Sequence, residues 1–150
     1  MVARALAATA IFWSVALVAA AYASGRTHGG VLSSLSPGFT AAIYGAGSFL
    51  CHQRPERSFH WWSAQFPVCA RCTGIYIGAA AAGLAAVPAV TRRASRPVVA
   101  LMAAAMPALA TLVYEWTLGV TPSNGIRAAS GVVLGAVVMA VILTEVRDGR

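Results

Sequence analysis

The stretch Cys51-His-Gln-Arg-Pro-Glu-Arg-Ser-Phe-His-Trp-Trp-Ser-Ala-Gln-Phe-Pro-Val-Cys-Ala-Arg-Cys-Thr-Gly74 decides how this chain is read. It holds all three cysteines and two of the three histidines, with Arg54, Arg57 and Arg71 set among them. On either side the chain is mostly Ala, Val, Leu and Gly. A polar island rich in potential ligands, flanked by apolar runs, belongs at the face of a membrane bundle.

Composition supports that solvent. Of 150 residues, 59% are hydrophobic and 10% charged, and the mean hydropathy is +0.72. A soluble domain carries about 25% charged residues, so this chain lacks the polar groups to cover a globular surface in water. Its length allows one domain. The net charge of +7 comes entirely from arginine, because lysine is absent. No basic run with interleaved aromatics is present, which argues against a nucleic-acid partner. The positive charges instead set orientation in the lipid bilayer.

Working outward, Ala5 to Ala23 is an apolar run between Arg4 and Arg26, close to the roughly 20 residues a span needs. Ala21-Tyr22-Ala23 resembles a signal-peptidase site. The run nevertheless exceeds the roughly 7–15 residues of a signal core, which favours an uncleaved anchor, with cleavage as the alternative. Residues 1–36 are therefore read as an N-terminal anchor with a polar loop, and 37–150 as the membrane domain carrying the motif. Ser36-Pro37 starts a helix that reaches the motif, and its full crossing is left open. Pro55 ends that helix. Glu56 to Gln65 are read as a short surface helix, with Phe59, Trp61 and Trp62 at headgroup level.

Thr73 to Val90, Val98 to Gly119 and Arg127 to Val146 are further apolar spans. Gly74/Gly78 and Gly131/Gly135 have the four-residue spacing that lets helices approach closely. Pro107 marks an expected kink. The basic loop Thr91–Pro97 is placed in the cytoplasm, so the motif face is extracytoplasmic. No strand pattern is evident, and the expected fold is an all-α integral membrane bundle of four or five helices with a Cys/His motif loop at one face. In either orientation the last two spans return Glu115, Asn124 and Arg127 to the face that carries the cysteines.

Cys69-Ala-Arg-Cys72 opens a helix, so both sulfurs share a face where the helix N-terminus favours thiolates. Cys51 and His52 arrive from the preceding helix. Together these residues suit a Cys3His zinc site. His60, Glu115 or water are alternative fourth ligands. The readings weighed against zinc are plain apolar cysteines and a redox disulfide between Cys69 and Cys72. Arg54, Arg57, Arg71 and Arg127 read singly as interface anchors. Jointly with Asn124 they could hold an anionic lipid headgroup or a small anion. Glu115, inside an apolar run, needs a partner, and Arg127 is the nearest candidate across the Thr121–Gly125 turn.

Two blocks, Cys51-His-Gln-Arg-Pro-Glu-Arg-Ser-Phe59 and Pro67-Val-Cys-Ala-Arg-Cys-Thr-Gly-Ile-Tyr76 with Gly78, resemble the membrane proteins of domain-of-unknown-function family 2085. Ser123-Asn124, Arg127 and Ser130-Gly131 resemble its later block more loosely, with Ser130 where members often carry Thr. The resemblance covers roughly Gly38 to Val146 and leaves the first span outside. It implies a small multi-span bacterial or archaeal membrane protein. It marks Cys51, His52, Arg54, Pro55, Arg57, Cys69, Arg71, Cys72, Asn124 and Arg127 as a shared site, and it implies no activity. Three functions follow as expectations: a zinc site stapling helix ends, an enzyme or carrier for an anionic lipid or metal ion, and a membrane thiol–disulfide relay.

Overall fold

The computed structural model describes residues 1–25, 36–85, 97–147 and 149. Among the described residues there are five helices: α1 (Val2–Gly25), α2 (Ser36–Leu50), α3 (Ala70–Ala85), α4 (Pro97–Leu118) and α5 (Asn124–Arg147). Between α2 and α3 lie a single 3-10 turn at Pro55–Arg57 and two strands, β1 (Ser58–Trp61) and β2 (Ala64–Cys69). Among the described residues three helices, α1, α4 and α5, are long and apolar enough to cross a bilayer. The expected helical bundle is therefore present. The end of the expected Thr73–Val90 span and all but the last residue of the basic loop, with His28, lie outside the described residues.

The motif folds differently from the expectation. Residues 58–69 form an antiparallel hairpin instead of the expected surface helix, with His60 opposite Gln65, Trp61 opposite Ala64 and Ser58 opposite Cys69. The turn is Trp62-Ser63, both at positive φ (52° and 62°). That is the conformation of a tight two-residue hairpin turn, normally signalled by Asn-Gly or Asp-Gly. Pro67 has no N–H for a ladder. It is tolerated because the register shifts between Ser58 and His60, leaving the middle of β2 outside regular pairing.

Burial of Phe66 and Val68 explains why the hairpin forms. They pack with Ile43 of α2 and with Ala16, Leu17, Ala20 and Ala21 of α1 in the principal core. The first helix, read as an anchor apart from the motif domain, thus supplies one wall of the core under the motif. Its end approaches the hairpin tip, where Tyr22 meets Trp62 edge to face at 5.1 Å. Trp61 stacks on Phe59 and meets Phe66 edge to face, both at 5.3 Å.

α3 and α5 run side by side from the motif face and form the most extensive helix contact. A Cβ on Gly74 or Gly78 would lie 2.0 or 2.2 Å from the carbonyl oxygens of Ala128 or Val132. A Cβ on Gly131 or Gly135 would lie 2.2 or 2.0 Å from those of Arg71 or Ile75. The two glycine pairs thus admit each other's backbone, which is how lipid-embedded helices gain packing without a hydrophobic drive between them. α4 runs through Pro107 and packs on α5. It ends at Leu118, where Gly119 takes the left-handed φ of 65° that closes a helix. Ser123 then caps α5, its hydroxyl accepting from the Ile126 amide at 3.4 Å.

Candidate functional site

The three cysteine sulfurs lie within 4.8 Å of one another. Each arrives by a different device. Cys51 follows the last residue of α2, and its amide donates to the Gly47 carbonyl at 2.9 Å. Cys69 ends β2 and stands just before the first turn of α3, with Cys72 in that turn. Here the Cys72 thiol donates to the Cys69 sulfur, and the Cys72 and Arg71 amides also point at it. This holds the Cys69 thiol down to about 5, against the opposing effect of burial. The Cys69 amide in turn donates to the Cys51 sulfur at 3.2 Å. The N–H groups aimed at Cys69 favour its thiolate, the state in which a cysteine binds metal, while the hydrogen bond with Cys69 and burial push the Cys72 thiol up.

Glutamine side chains hold the segment leading from Cys51 to the hairpin. Gln53 sits at φ 46°. Its amide donates to the carbonyls of Tyr44 at 2.8 Å and Pro67 at 2.6 Å, tying the end of α2 to β2. Gln65 donates to the Gln53 carbonyl at 2.5 Å. The Tyr44 hydroxyl donates to the Gln65 carbonyl at 2.5 Å. Neither glutamine nor Tyr44 was among the expected site residues. The available signal was an uncharged polar residue, Gln53, between two candidate ligand positions and a proline.

The preferred fourth ligand is not brought in. His52 is exposed and does not belong to the group of three sulfurs, and His60 is exposed on β1. Consecutive side chains in a non-helical segment point apart, so turning Cys51 inward turns His52 outward. Glu115 is also committed elsewhere. Its carboxylate meets Arg57 at 2.6 Å and Arg127 at 2.9 Å.

Those contacts build a second cluster beside the cysteines. Glu115 of α4 and Arg127 of α5 are both buried, and the expected pair across the α4–α5 turn is formed. Arg57 closes on the same carboxylate from the 3-10 turn. Arg71, between two cysteines in sequence, donates to the Thr111 hydroxyl at 2.8 Å, and Thr111 stands one turn before Glu115 on α4. Asn124 donates to the Ser58 carbonyl at 2.9 Å, fastening α5 to the hairpin. Arg54 stands apart, exposed and 4.0 Å from the equally exposed Glu56.

Comparison with known proteins places these residues in a wider group. The family model described as predicted membrane protein (DUF2085) matches residues 51–141, more than half of the chain, starting at the first cysteine. An uncharacterised protein of Methanothermobacter thermautotrophicus is 58% identical over 31 residues, covering 21% of this chain and 28% of the relative. An uncharacterised protein of Methanocaldococcus jannaschii is 50% identical over 36 residues, covering 24% of this chain and 23% of the relative. The chain thus matches only about a quarter of the length of either relative. No solved structure matches. The mutual placement of the cysteines, the apolar helices and this match lead to one conclusion: the chain belongs to the DUF2085 family of membrane proteins.

Proposed function

We propose that this protein is a membrane metalloprotein in which Cys51, Cys69 and Cys72 hold one zinc ion at the membrane face. The observation that carries the reading is the approach of three sulfurs, from two segments, to within 4.8 Å of one another. Sulfurs around one tetrahedral zinc, at about 2.3 Å from the metal, stand about 3.8 Å from each other, so the cluster needs little contraction. Zinc there would join the end of α2 to the start of α3. Three protein ligands leave a fourth position for water or an external ligand, the arrangement of zinc sites that exchange or activate what they bind. The test is elemental analysis of detergent-purified protein. About one zinc per chain is expected, falling to background in Cys72→Ala. Metal-free protein with Cys69 and Cys72 oxidised would replace this reading with the thiol–disulfide relay.

We place the motif face outside the cytoplasm, because the sequence's tightest basic loop, Arg92 to Arg96, lies one helix away. Ser63, exposed at the hairpin tip, allows a direct measurement. In intact cells Ser63→Cys should react with a membrane-impermeant maleimide above the level of the parent chain. Labelling that requires permeabilised cells would invert the assignment.

A further inference from the structure

Among the described residues, the motif face holds more positive charge than its carboxylates neutralise. Arg57 and Arg127 share one carboxylate, that of Glu115. Arg71 reaches Thr111, one turn away on the same helix, so its guanidinium lies on the same face of α4. Two guanidinium groups therefore share one carboxylate, and the third is held one helical turn away from it on α4. Of the other described acids, Glu56 is exposed beside Arg54. Glu145 lies about 27 Å further along α5, at 1.5 Å per residue. Neither can supply the missing charge.

The hydrogen bonding is as incomplete as the charge. The Arg57 Nε, the Arg71 Nε and both the Nε and Nη1 of Arg127 are buried with no partner among the described residues. Arg127 is the most telling of these, because its side chain is 3% exposed and makes its one bond to Glu115. A buried guanidinium with idle donors is costly in an apolar bundle. Its planar fork suits the oxygens of a phosphate group. Arg57, with its side chain 36% exposed, forms the open rim of the cluster on the hairpin side. Asn124 positions that rim by holding the Ser58 carbonyl.

We infer that Arg57, Arg71 and Arg127 form a binding site for a tetrahedral oxyanion, a phosphate group carried on a lipid headgroup or free in solution. The site stands on the arginines alone and does not depend on metal at the cysteines. Glu115 anchors two of the three guanidinium groups and also competes with the ligand for their donors.

The test uses full-length protein purified in phosphate-free, lipid-free detergent. One arm titrates inorganic phosphate by calorimetry. The other adds micelles doped with phosphatidylglycerol and reads retained lipid by native mass spectrometry. Saturable binding of at least one probe is expected. Binding of inorganic phosphate identifies a free oxyanion as sufficient, and binding of phosphatidylglycerol alone identifies the headgroup. Arg71→Gln should weaken binding by about tenfold or more, the effect of losing one charge-assisted hydrogen bond. Arg57→Gln, at the half-open rim where folding is least at risk, should do the same. The inference is overturned if wild type binds neither probe saturably, or if Arg57→Gln binds the probe as tightly as wild type does.

Discussion

Glu115→Gln is expected to destabilise the bundle by about 3–5 kcal/mol in phosphate-free detergent, the cost of leaving a buried charge without its partner. Glu115 is 8% exposed and Arg127 is 2% exposed. Neither can reach water without moving its helix, so removing the carboxylate strands the Arg127 guanidinium. Arg127→Gln should cost less than Glu115→Gln, because Glu115 keeps its contact with Arg57 at 2.6 Å. The double variant should cost less than the sum of the two single losses, since it removes both charges together. Thermal unfolding in detergent, run as a double-mutant cycle, measures all three. Additive losses would mean that the two residues act independently, and Glu115 would then belong to a ligand site and not to a structural lock.

A methyl group at Gly74 or Gly135 should part α3 from α5. Each Cβ would lie 2.0 Å from a backbone carbonyl oxygen, that of Ala128 or Ile75 respectively. A side chain could rotate away from such a contact, but a helix backbone must translate. Overpacking a tight core costs about 1–3 kcal/mol, and more when the obstacle is rigid. Gly74→Ala and Gly135→Ala should each therefore lose about 3 kcal/mol or more, and the double variant less than the sum, because one displacement of the helices relieves both contacts. The movement has a second consequence. Arg71 and Cys72 on α3, and Arg127 on α5, begin at this interface, so metal content and anion binding should fall with stability. Gly45 provides the control, because an added Cβ there meets nothing within 4 Å. Gly45→Ala should be neutral or slightly stabilising, by less than ~1 kcal/mol. If Gly74→Ala and Gly135→Ala behave like Gly45→Ala, the close α3–α5 packing is refuted.

The residues that could be placed from sequence are those governed by local or one-dimensional quantities. Hydropathy and run length located α1, α4 and α5. Ser36-Pro37 marked the start of α2, and the Cys69–Cys72 spacing marked the first turn of α3. The meeting of Glu115 and Arg127 also followed from one dimension. A charge inside an apolar run needs a partner, and a short turn returns the chain at the same depth. The glycine spacing at 74/78 and 131/135 announced close helix contacts without saying with what.

Long-range packing governs the remaining features. The hairpin was hidden because Trp62 and Ser63 are unusual at positive φ and Pro67 argues against a strand. Burial of Phe66 and Val68 against α1 and α2 outweighs those local preferences. The hairpin then settles several things at once. It brings Cys69 back beside Ser58, turns Cys51 toward the other sulfurs while His52 faces outward, and delivers Arg57 to the carboxylate of Glu115. Arg57 and Glu115 are 58 positions apart in the chain, and nothing in either local sequence encodes their contact. The lipid solvent, the helices and the chemical inventory of the motif face are written locally, because each depends on composition or on neighbours along the chain. Which sulfurs and which charges meet was left to the packing of the hairpin and to the backbone contact of α3 with α5, because close packing between segments distant in the chain depends on their joint shape, which no single segment specifies.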